Sequence, residues 1–202
     1  MKKCLTVVFS TLAILSCSKA PVTLPVVFQD HMVLQRESPV PVWGWTKPGA
    51  KVTVSLGESA VNVKAGKDGR FHAVLPEQQP GGPFTLTAND AVVSDVLIGD
   101  VFLCSGQSNM ELPVKRCLDV VAEDVKDYVN PQIRYLRVPL AYDFDGPRKD
   151  LPACSWEVLD STEKALSWGA VSYFTAKALQ RETGVPVGMV NSSVGGSPIE
   201  AW

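Results

Sequence analysis

Ser108 is the residue of this sequence whose surroundings first indicate chemistry. It lies in the segment LCSGQSNMEL (103–112), directly after an apolar run that is typical of a strand. A nucleophilic serine needs an exposed oxygen and nearby backbone N–H groups that can hold an oxyanion. A turn from a strand into a helix supplies both, because the first turn of a helix carries free N–H groups. Ser108 is therefore a candidate nucleophile, although a helix-capping role fits the same position.

Gly195 and Gly196 form a second candidate element. They follow a strand-like run, Val187 to Val190, and lead into Ser197-Pro198-Ile199-Glu200, which has the form of a capping box with proline at the first helical position. Ligand sites in parallel sheets lie at the carboxyl ends of the strands. We therefore expect this loop and the Ser108 loop to meet in one crevice, unless the glycines only form a turn into the helix.

The elements that carry both loops predict the opening of a parallel α/β domain over residues 96–202. Val96 to Cys104 is almost continuously apolar, as in a strand that is covered on both faces. A helical pattern follows Ser108, Ile133 to Val138 resembles a strand, residues 139 to about 168 look irregular, and a second helix ends before Gly184 and Pro186. The sequence stops at Trp202 as a third helix begins, so we expect this domain to be truncated in the chain.

Residues 22–95 have a different pattern, with short alternating segments separated by turns rich in glycine and proline. This pattern predicts an antiparallel β-sandwich. Trp43 and Trp45 share one face of a strand. We interpret them as core or domain-interface residues, with stacking on a sugar as the alternative. The predicted strands are residues 40–45, 51–56, 60–64, 70–75 and 84–88.

Residues 1–17 have the pattern of an export signal and not of a folded segment. Lys2 and Lys3 precede an apolar stretch from Leu5 to Leu15 that is too short to span a membrane as a mature helix. Ile14-Leu15-Ser16-Cys17 resembles a bacterial lipobox, in which the cysteine is lipidated. We expect an exported protein in the periplasm or at the outer membrane, anchored to the membrane through a lipidated Cys17.

Composition and cysteine spacing argue against several other classes of protein. The formal net charge is -2 and no basic run exceeds a pair, which argues against nucleic-acid binding. No C-x-x-C pair or histidine cluster is present, so we predict neither a metal site nor another cofactor. Cys104 fits a buried apolar position, and an oxidising compartment would permit a disulfide between Cys117 and Cys154. The sequence carries no prediction of the oligomeric state.

Four spaced segments resemble the sialate O-acetylesterase family of SGNH-type carbohydrate acetylesterases. Gly106 to Met110 resembles the nucleophile block of that family, and Gly195 to Trp202 resembles its second active-site block. Phe28 to Arg36 and Val42 to Trp45, the latter with Pro48-Gly49, resemble its β-domain. The resemblance implies a mixed fold, in which an antiparallel β-sandwich precedes an SGNH-like, flavodoxin-like three-layer α/β domain.

The resemblance also implies a chemistry and a substrate. Ser108 would attack the acetyl ester of an O-acetylated glycan or sialic acid, without a metal or another cofactor. Its own N–H and that of Gly196, with Gly195 the second choice, would form the oxyanion hole. Gln107 and Asn109 would brace the loop.

The sequence departs from the family in one important respect. The Asp-x-x-His block that supplies the base is absent, and both histidines, His31 and His72, precede Ser108 and fit structural positions. Without a base the serine hydroxyl stays protonated and weakly nucleophilic. The alternative function is therefore a non-catalytic glycan-binding surface lipoprotein. A metal-dependent deacetylase would need a cluster of ligands that the sequence lacks.

Overall fold

The computed structural model describes residues 19–141 and 146–201, so the predicted signal segment 1–17 lies outside the described residues. No described helix combines the length and the hydropathy that a membrane crossing requires. The strands are β1 (Val33–Gln35), β2 (Val40–Trp45), β3 (Lys51–Leu56), β4 (Ser59–Lys64), β5 (Arg70–Leu75), β6 (Gly81–Ala88), β7 (Ala91–Gly106), β8 (Asn130–Arg137), β9 (Trp156–Leu159) and β10 (Val187–Ser193). The helices are α1 (Ser108–Glu111), α2 (Leu118–Val125), α3 (Thr162–Ser167) and α4 (Ala170–Thr183), with single 3-10 turns at Val114–Arg116 and Ile199–Ala201.

Eight of the described strands form one mixed sheet. Its order is β4-β3-β6-β7-β10-β8-β9, and β1 pairs with β7 in addition. Strands β2 and β5 form a separate antiparallel pair. The fold is therefore a mixed α/β architecture, as predicted.

Strand β7 joins the antiparallel and the parallel parts of this sheet. Its first half pairs antiparallel with β6, and residues Leu97–Gly99 pair in parallel with β1. From Asp100 to Gly106 it pairs in parallel with β10. The predicted boundary between residues 95 and 96 thus falls inside one strand, and the division into two domains stays a prediction.

The alternating segments fold as their pattern indicates. The predicted strands 40–45, 51–56 and 70–75 are β2, β3 and β5 with unchanged bounds. Val42, Val54 and Ala73 on their inward faces are fully buried and belong to one hydrophobic cluster. Because alternate side chains of a strand point to opposite faces, the residues between them face outward. Trp43 is one of these and is 40% exposed, so of its two expected positions the core is wrong and the domain interface stays a prediction.

Two expectations about the parallel strands are wrong. The run from Val96 to Cys104 is not covered on both faces, because Phe102 is 39% exposed and Leu103 is 70% exposed. Burial without interruption is limited to residues 96–99 of this run. Nothing in residues 19–141 and 146–201 covers Phe102 and Leu103 completely.

The order of the parallel strands also differs from the flavodoxin-like arrangement. That arrangement places the first strand between the second and the third, whereas here β10, the third, lies between β7 and β8. The central place suits β10 because Val187, Gly188 and Met189 are buried without interruption. A Cβ atom on Gly188 would lie 2.7 Å from the Cβ of Val33, so only glycine fits there.

The stretch from 139 to 168 contains more structure than its sequence indicated. It includes β9 and α3, where an irregular segment was expected. Ser161 caps α3, because its hydroxyl accepts a hydrogen bond from the N–H of Lys164 at 3.3 Å. Both elements are too short to show a periodicity, which is why the pattern missed them.

Candidate active site

Ser108 lies at the carboxyl end of β7, as the sequence predicted. The strand ends at Gly106, whose φ of +129° is a conformation that favours glycine. After Gln107 the chain forms α1, a single turn in which the carbonyl of Gln107 accepts hydrogen bonds from the N–H groups of Met110 and Glu111. Ser108 opens this turn and is exposed. Its position therefore presents a hydroxyl at the edge of the sheet.

The glycine loop after β10 lies against the Ser108 turn. The N–H of Val194 donates to the carbonyl of Gly106 at 2.9 Å, and that of Gly195 donates to a carboxylate oxygen of Glu111 at 2.6 Å. A Cβ atom built on Gly195 would lie 3.8 Å from the Cα of Ser108. The structure thus brings the two predicted loops together.

The two glycines have different environments. The carboxylate of Glu111 occupies the N–H of Gly195, and the other oxygen of that carboxylate pairs with Arg137 at 3.4 Å. Gly196 has a φ of +79°, and a built Cβ would meet no atom within 4 Å. Within the described residues its N–H and that of Ser108 make no hydrogen bond. Of the two glycines, Gly196 is therefore the one whose backbone N–H is available to a ligand.

Asn191 braces the Ser108 turn from beneath. Its buried side-chain amide donates to the carbonyl of Met110 at 3.2 Å and to the hydroxyl of Ser172 at 3.3 Å. Its side-chain oxygen accepts from the hydroxyl of Ser193 at 2.7 Å. Sequence reasoning missed this residue. The available signal was a polar residue inside an apolar strand, since a buried amide needs partners.

Tyr135 and Trp168 hold the segment that follows α1. The two rings are stacked with centroids 4.8 Å apart, and the N–H of Gly169 donates to the hydroxyl of Tyr135 at 3.1 Å. Burial raises the pKa of Tyr135, and the hydrogen bond from Gly169 opposes this shift. The N–H of Ala170 donates to the carbonyl of Leu112. These contacts fix the far end of the turn that carries Ser108.

Two depressions adjoin this site. The smaller, of about 350 Å³, opens directly at Ser108 and contains three cationic side chains, those of Lys115, Arg116 and Arg137. The larger, of about 940 Å³, lies on the other side of the glycine loop and includes Gly195 and Gly196 in its wall. We call the larger one the loop cleft. Ser108 lines the smaller depression, and the glycine loop beside it lines the larger one.

Neither histidine belongs to the site. His31 pairs through Nδ1 with Asp95 at 2.6 Å, and Arg134 pairs with the same carboxylate at 2.7 Å. His72 is exposed on β5, opposite Trp43. The pairing of His31 fits the structural role expected for it, and a structural role for His72 stays a prediction. The described residues therefore bring a serine and backbone donors together but no imidazole.

The three cysteines within residues 19–141 and 146–201 are free thiols. Cys104 is buried, as predicted, and its sulfur lies 3.7 Å from that of Met189. Cys117 and Cys154 do not form the disulfide that the sequence permitted. No group of three or more potential metal ligands occurs in the described part of the chain.

A serine at the end of a parallel strand, beside a glycine loop with a free backbone N–H, is an arrangement typical of serine hydrolases. A carbohydrate acetylesterase from Xanthomonas citri has the same fold, with a TM-score of 0.84 and 40% sequence identity over 90% of this chain and 42% of its own. The family model of carbohydrate esterases described as sialic acid-specific acetylesterases matches residues 98–202. The chain belongs to this family, which confirms the resemblance read from the sequence.

Sialate O-acetylesterases of mammals are similar over most of this chain. The human protein is 35% identical over 195 residues, and the rat protein is 34% identical over 200 residues. In both cases the similarity covers 86% of this chain. It covers 37% of the human protein and 36% of the rat protein. The chain thus spans little more than a third of the length of these relatives.

Proposed function

We propose that the whole protein removes acetyl groups from glycans by a serine mechanism. The observation that carries this proposal is the placement of Ser108 beside the Gly195–Gly196 loop, 3.8 Å from a Cβ built on Gly195. Membership of the carbohydrate esterase family supports the same reaction. The bond cleaved is the ester between the acetyl group and a sugar hydroxyl.

The geometry fits a two-step acyl transfer. The oxygen of Ser108 attacks the acetyl carbonyl while a base takes its proton, and the resulting oxyanion accepts hydrogen bonds from the N–H groups of Ser108 and Gly196. Collapse of this intermediate releases the sugar hydroxyl, which receives the proton. Water then attacks the acetyl-serine and releases acetate. Gly195 does not take part as an oxyanion donor, because Glu111 already holds its N–H.

The base in this proposal is an imidazole from the remainder of the protein. The described residues bring none to Ser108, and the chain spans only 37% of its human relative. A histidine oriented by an aspartate, as the family's Asp-x-x-His block implies, would enter from the exposed side of Ser108. Loss of a base leaves only the residual catalysis of binding and oxyanion stabilisation.

We propose that the substrate is an O-acetylated sialic acid. The smaller depression at Ser108 holds Lys115, Arg116 and Arg137 against a single carboxylate, that of Glu111. An excess of positive charge favours an anionic ligand, and a sialic acid carries a carboxylate. A preference for O-acetylated sialic acid over a neutral acetylated sugar, lost as salt rises, is the expected kinetic result.

The finer features of the fold and location belong to the same proposal. We propose that residues 22–95 are an antiparallel β-sandwich and that residues 96–202 are the first part of a larger α/β esterase domain. We further propose export to the periplasm or outer membrane and anchoring through a lipidated Cys17. Metabolic labelling with a fatty-acid probe, compared between the natural protein and Cys17→Ser, tests the anchor.

The deciding experiment uses the full-length protein and its Ser108→Ala variant. Release of acetate from O-acetylated sialic acid and from 4-nitrophenyl acetate is measured for both. We expect the variant to lose about a thousandfold or more in kcat, because the nucleophile is gone. Unchanged activity of Ser108→Ala, or a full-length protein that cleaves neither ester, would overturn the proposal.

A non-catalytic glycan-binding lipoprotein is the second candidate. It is favoured by one observation, the absence of an imidazole beside Ser108 in the described residues. Binding of sialyllactose without hydrolysis of any acetyl ester by the full-length protein would establish it.

A further inference from the structure

The loop cleft has the dimensions of a ligand site. Its volume of about 940 Å³ lies within the range of 300–1,000 Å³ that is usual for small-molecule pockets. Three distant parts of the chain form its walls, and none of them contains Ser108. They are Pro25, Val27 and Trp43 from the amino-terminal part, residues 138–141 and 148–152 after β8, and residues 192–198 around the glycine loop.

Trp43 is the large aromatic residue of this cleft. It projects from the outward face of β2 and is 40% exposed. Phe28 packs edge-on against it, with ring centroids 4.8 Å apart and an interplanar angle of 76°. An indole that is held on one side and open on the other presents a rigid apolar surface at little cost in conformational entropy. Such a surface complements the apolar face of a pyranose ring.

Asp150 fixes one wall of the cleft and so keeps it open. Its carboxylate accepts hydrogen bonds from the N–H of Val26, at 3.1 and 3.2 Å, and from that of Leu151 at 2.8 Å. The segment after β8 is thereby tied to the amino-terminal segment that leads to Trp43. The cleft is a product of both parts of the chain.

The cleft leads to the candidate nucleophile. Gly195 and Gly196 line its inner end, and Ser108 lies directly behind them. A sugar on Trp43 and an acetyl ester at Ser108 would therefore belong to one extended ligand. A free acetylated monosaccharide would be held by the smaller, cationic depression alone.

We propose that the loop cleft is the binding site for the glycan chain that carries the acetylated sugar, with a pyranose ring stacked on Trp43. This inference rests on the proposed esterase function and extends it. It assigns the amino-terminal β part a role in recognising oligosaccharides as opposed to single sugars. The ligand class is a sialylated oligosaccharide that is O-acetylated on its terminal sialic acid.

The test compares two substrates in the full-length protein. O-acetylated sialyllactose reports on the cleft, and 4-nitrophenyl acetate reports on the chemistry at Ser108. For Trp43→Ala we expect a rise in KM for the trisaccharide of about tenfold or more, because tryptophans that become covered on binding often carry much of the binding energy. The loss in kcat/KM for the trisaccharide should exceed that for 4-nitrophenyl acetate by about the same factor. The KM of Trp43→Phe for the trisaccharide should lie between that of Trp43→Ala and that of the natural protein.

Val74→Ala is the matched control. Val74 lies on the outward face of the same two-stranded ladder, opposite Pro41, is 48% exposed and does not line the cleft. We expect this variant to treat both substrates as the natural protein does. Equal losses on the two substrates for Trp43→Ala, or no loss on the trisaccharide, would overturn the proposal.

A binding measurement separates this inference from the esterase proposal. Titration calorimetry with sialyllactose is performed on Ser108→Ala and on the double variant Ser108→Ala/Trp43→Ala. Weaker binding by the double variant supports the cleft even if the natural protein hydrolyses no ester. Equal binding by the two would refute the cleft even if hydrolysis is established.

Discussion

The ladder of β2 and β5 and the parallel strand β10 bury their residues in opposite ways. In β2 and β5 every second residue is buried, so one face packs on the core and the other meets solvent. In β10, Val187 to Met189 are buried without a break. The reason is that Val187 and Met189 pack with residues of α4, while Gly188 faces Val33 of β1. A strand covered in this way offers chemistry only at its end, whereas an alternating strand offers side chains along its length.

This difference explains how the two parts of the chain contribute to one site. The parallel part supplies Ser108 and the Gly195–Gly196 loop at strand ends. The antiparallel part supplies Trp43 from the middle of a strand. Strand β7 connects them, because its first half belongs to the antiparallel arrangement and its second half to the parallel one. Changes at β7 and at the contacts across it therefore test the comparison.

The largest expected effect is that of Gly99→Ala, at the point where β7 passes from β1 to β10. A Cβ atom there would lie 1.9 Å from the carbonyl oxygen of Pro186, and backbone cannot move aside cheaply. We expect a loss of about 4 kcal/mol or more in the free energy of unfolding. Urea denaturation followed by tryptophan fluorescence measures it.

Gly49→Ala is the control for this change. Gly49 has a φ of +71°, a conformation that is unusual for alanine and that Gly99 does not share, and a built Cβ meets nothing closer than Lys64 at 3.7 Å. The left-handed conformation alone should cost about 1–2 kcal/mol. If Gly99→Ala and Gly49→Ala lose the same free energy of unfolding, the close approach of Pro186 to β7 is not the reason that position 99 requires glycine.

The next effect is that of Glu111→Ala on catalysis. Glu111 joins the Ser108 turn to the glycine loop through its bond to Gly195. Without it the loop is free to shift, and a displacement of about 1 Å at a reacting centre costs about 100-fold in rate. We expect kcat on 4-nitrophenyl acetate to fall by about that factor in the full-length protein, with little change in the melting temperature.

Glu111→Gln separates positioning from charge. Its side-chain oxygen still accepts the hydrogen bond from Gly195, while the ion pair with Arg137 at 3.4 Å is lost. We expect a loss of only a few-fold, since exposed ion pairs contribute about 0–1 kcal/mol. If Glu111→Gln is as inactive as Glu111→Ala, catalysis depends on the charge of Glu111 and not on its hydrogen bond from Gly195.

The smallest effect is that of Asp95→Asn on stability. Asp95, in the antiparallel half of β7, pairs with the buried Arg134 of β8 and so ties the two parts together. Burial alone would raise the pKa of Asp95, but the hydrogen bonds from Arg134 and His31 outweigh it and lower the pKa. We expect a loss of about 2 kcal/mol at pH 7, in the range for a hydrogen bond to a charged group.

The pH dependence of this effect follows from the direction of the shift. A carboxyl group with a lowered folded pKa stabilises the protein above its unfolded value, about pH 3.9, and this contribution disappears as the pH falls through the folded pKa. The difference between the natural protein and Asp95→Asn should therefore shrink below about pH 4. Asp160→Asn, which breaks an exposed pair with Lys164 of the same 2.7 Å length, should cost about 0.5 kcal/mol. Equal costs for the two variants would contradict a special role for the buried pair.

Local patterns in the sequence were sufficient for much of the fold. Alternation predicted β2, β3 and β5 with their bounds, and the glycine at position 184 ends α4 in the left-handed conformation that its type favours. The pairing of Ser108 with the Gly195–Gly196 loop was also predicted, because both follow strands of one parallel sheet. These features depend on neighbours in the chain or on a general rule of sheet topology.

Other features depended on contacts between distant residues. The central position of β10, the exposure of Leu103 and the outward position of Trp43 are set by which strands pair and where they end. Only the folded chain places Glu111 on Gly195, and so leaves Gly196 as the glycine with a free N–H. The sequence alone thus determined which residue types stand at the strand ends, through spacing and backbone preference. The tertiary structure decided which backbone N–H group of the glycine loop is already hydrogen-bonded. The bond from Gly195 to Glu111 joins residues 84 positions apart, so it exists only after the sheet has formed.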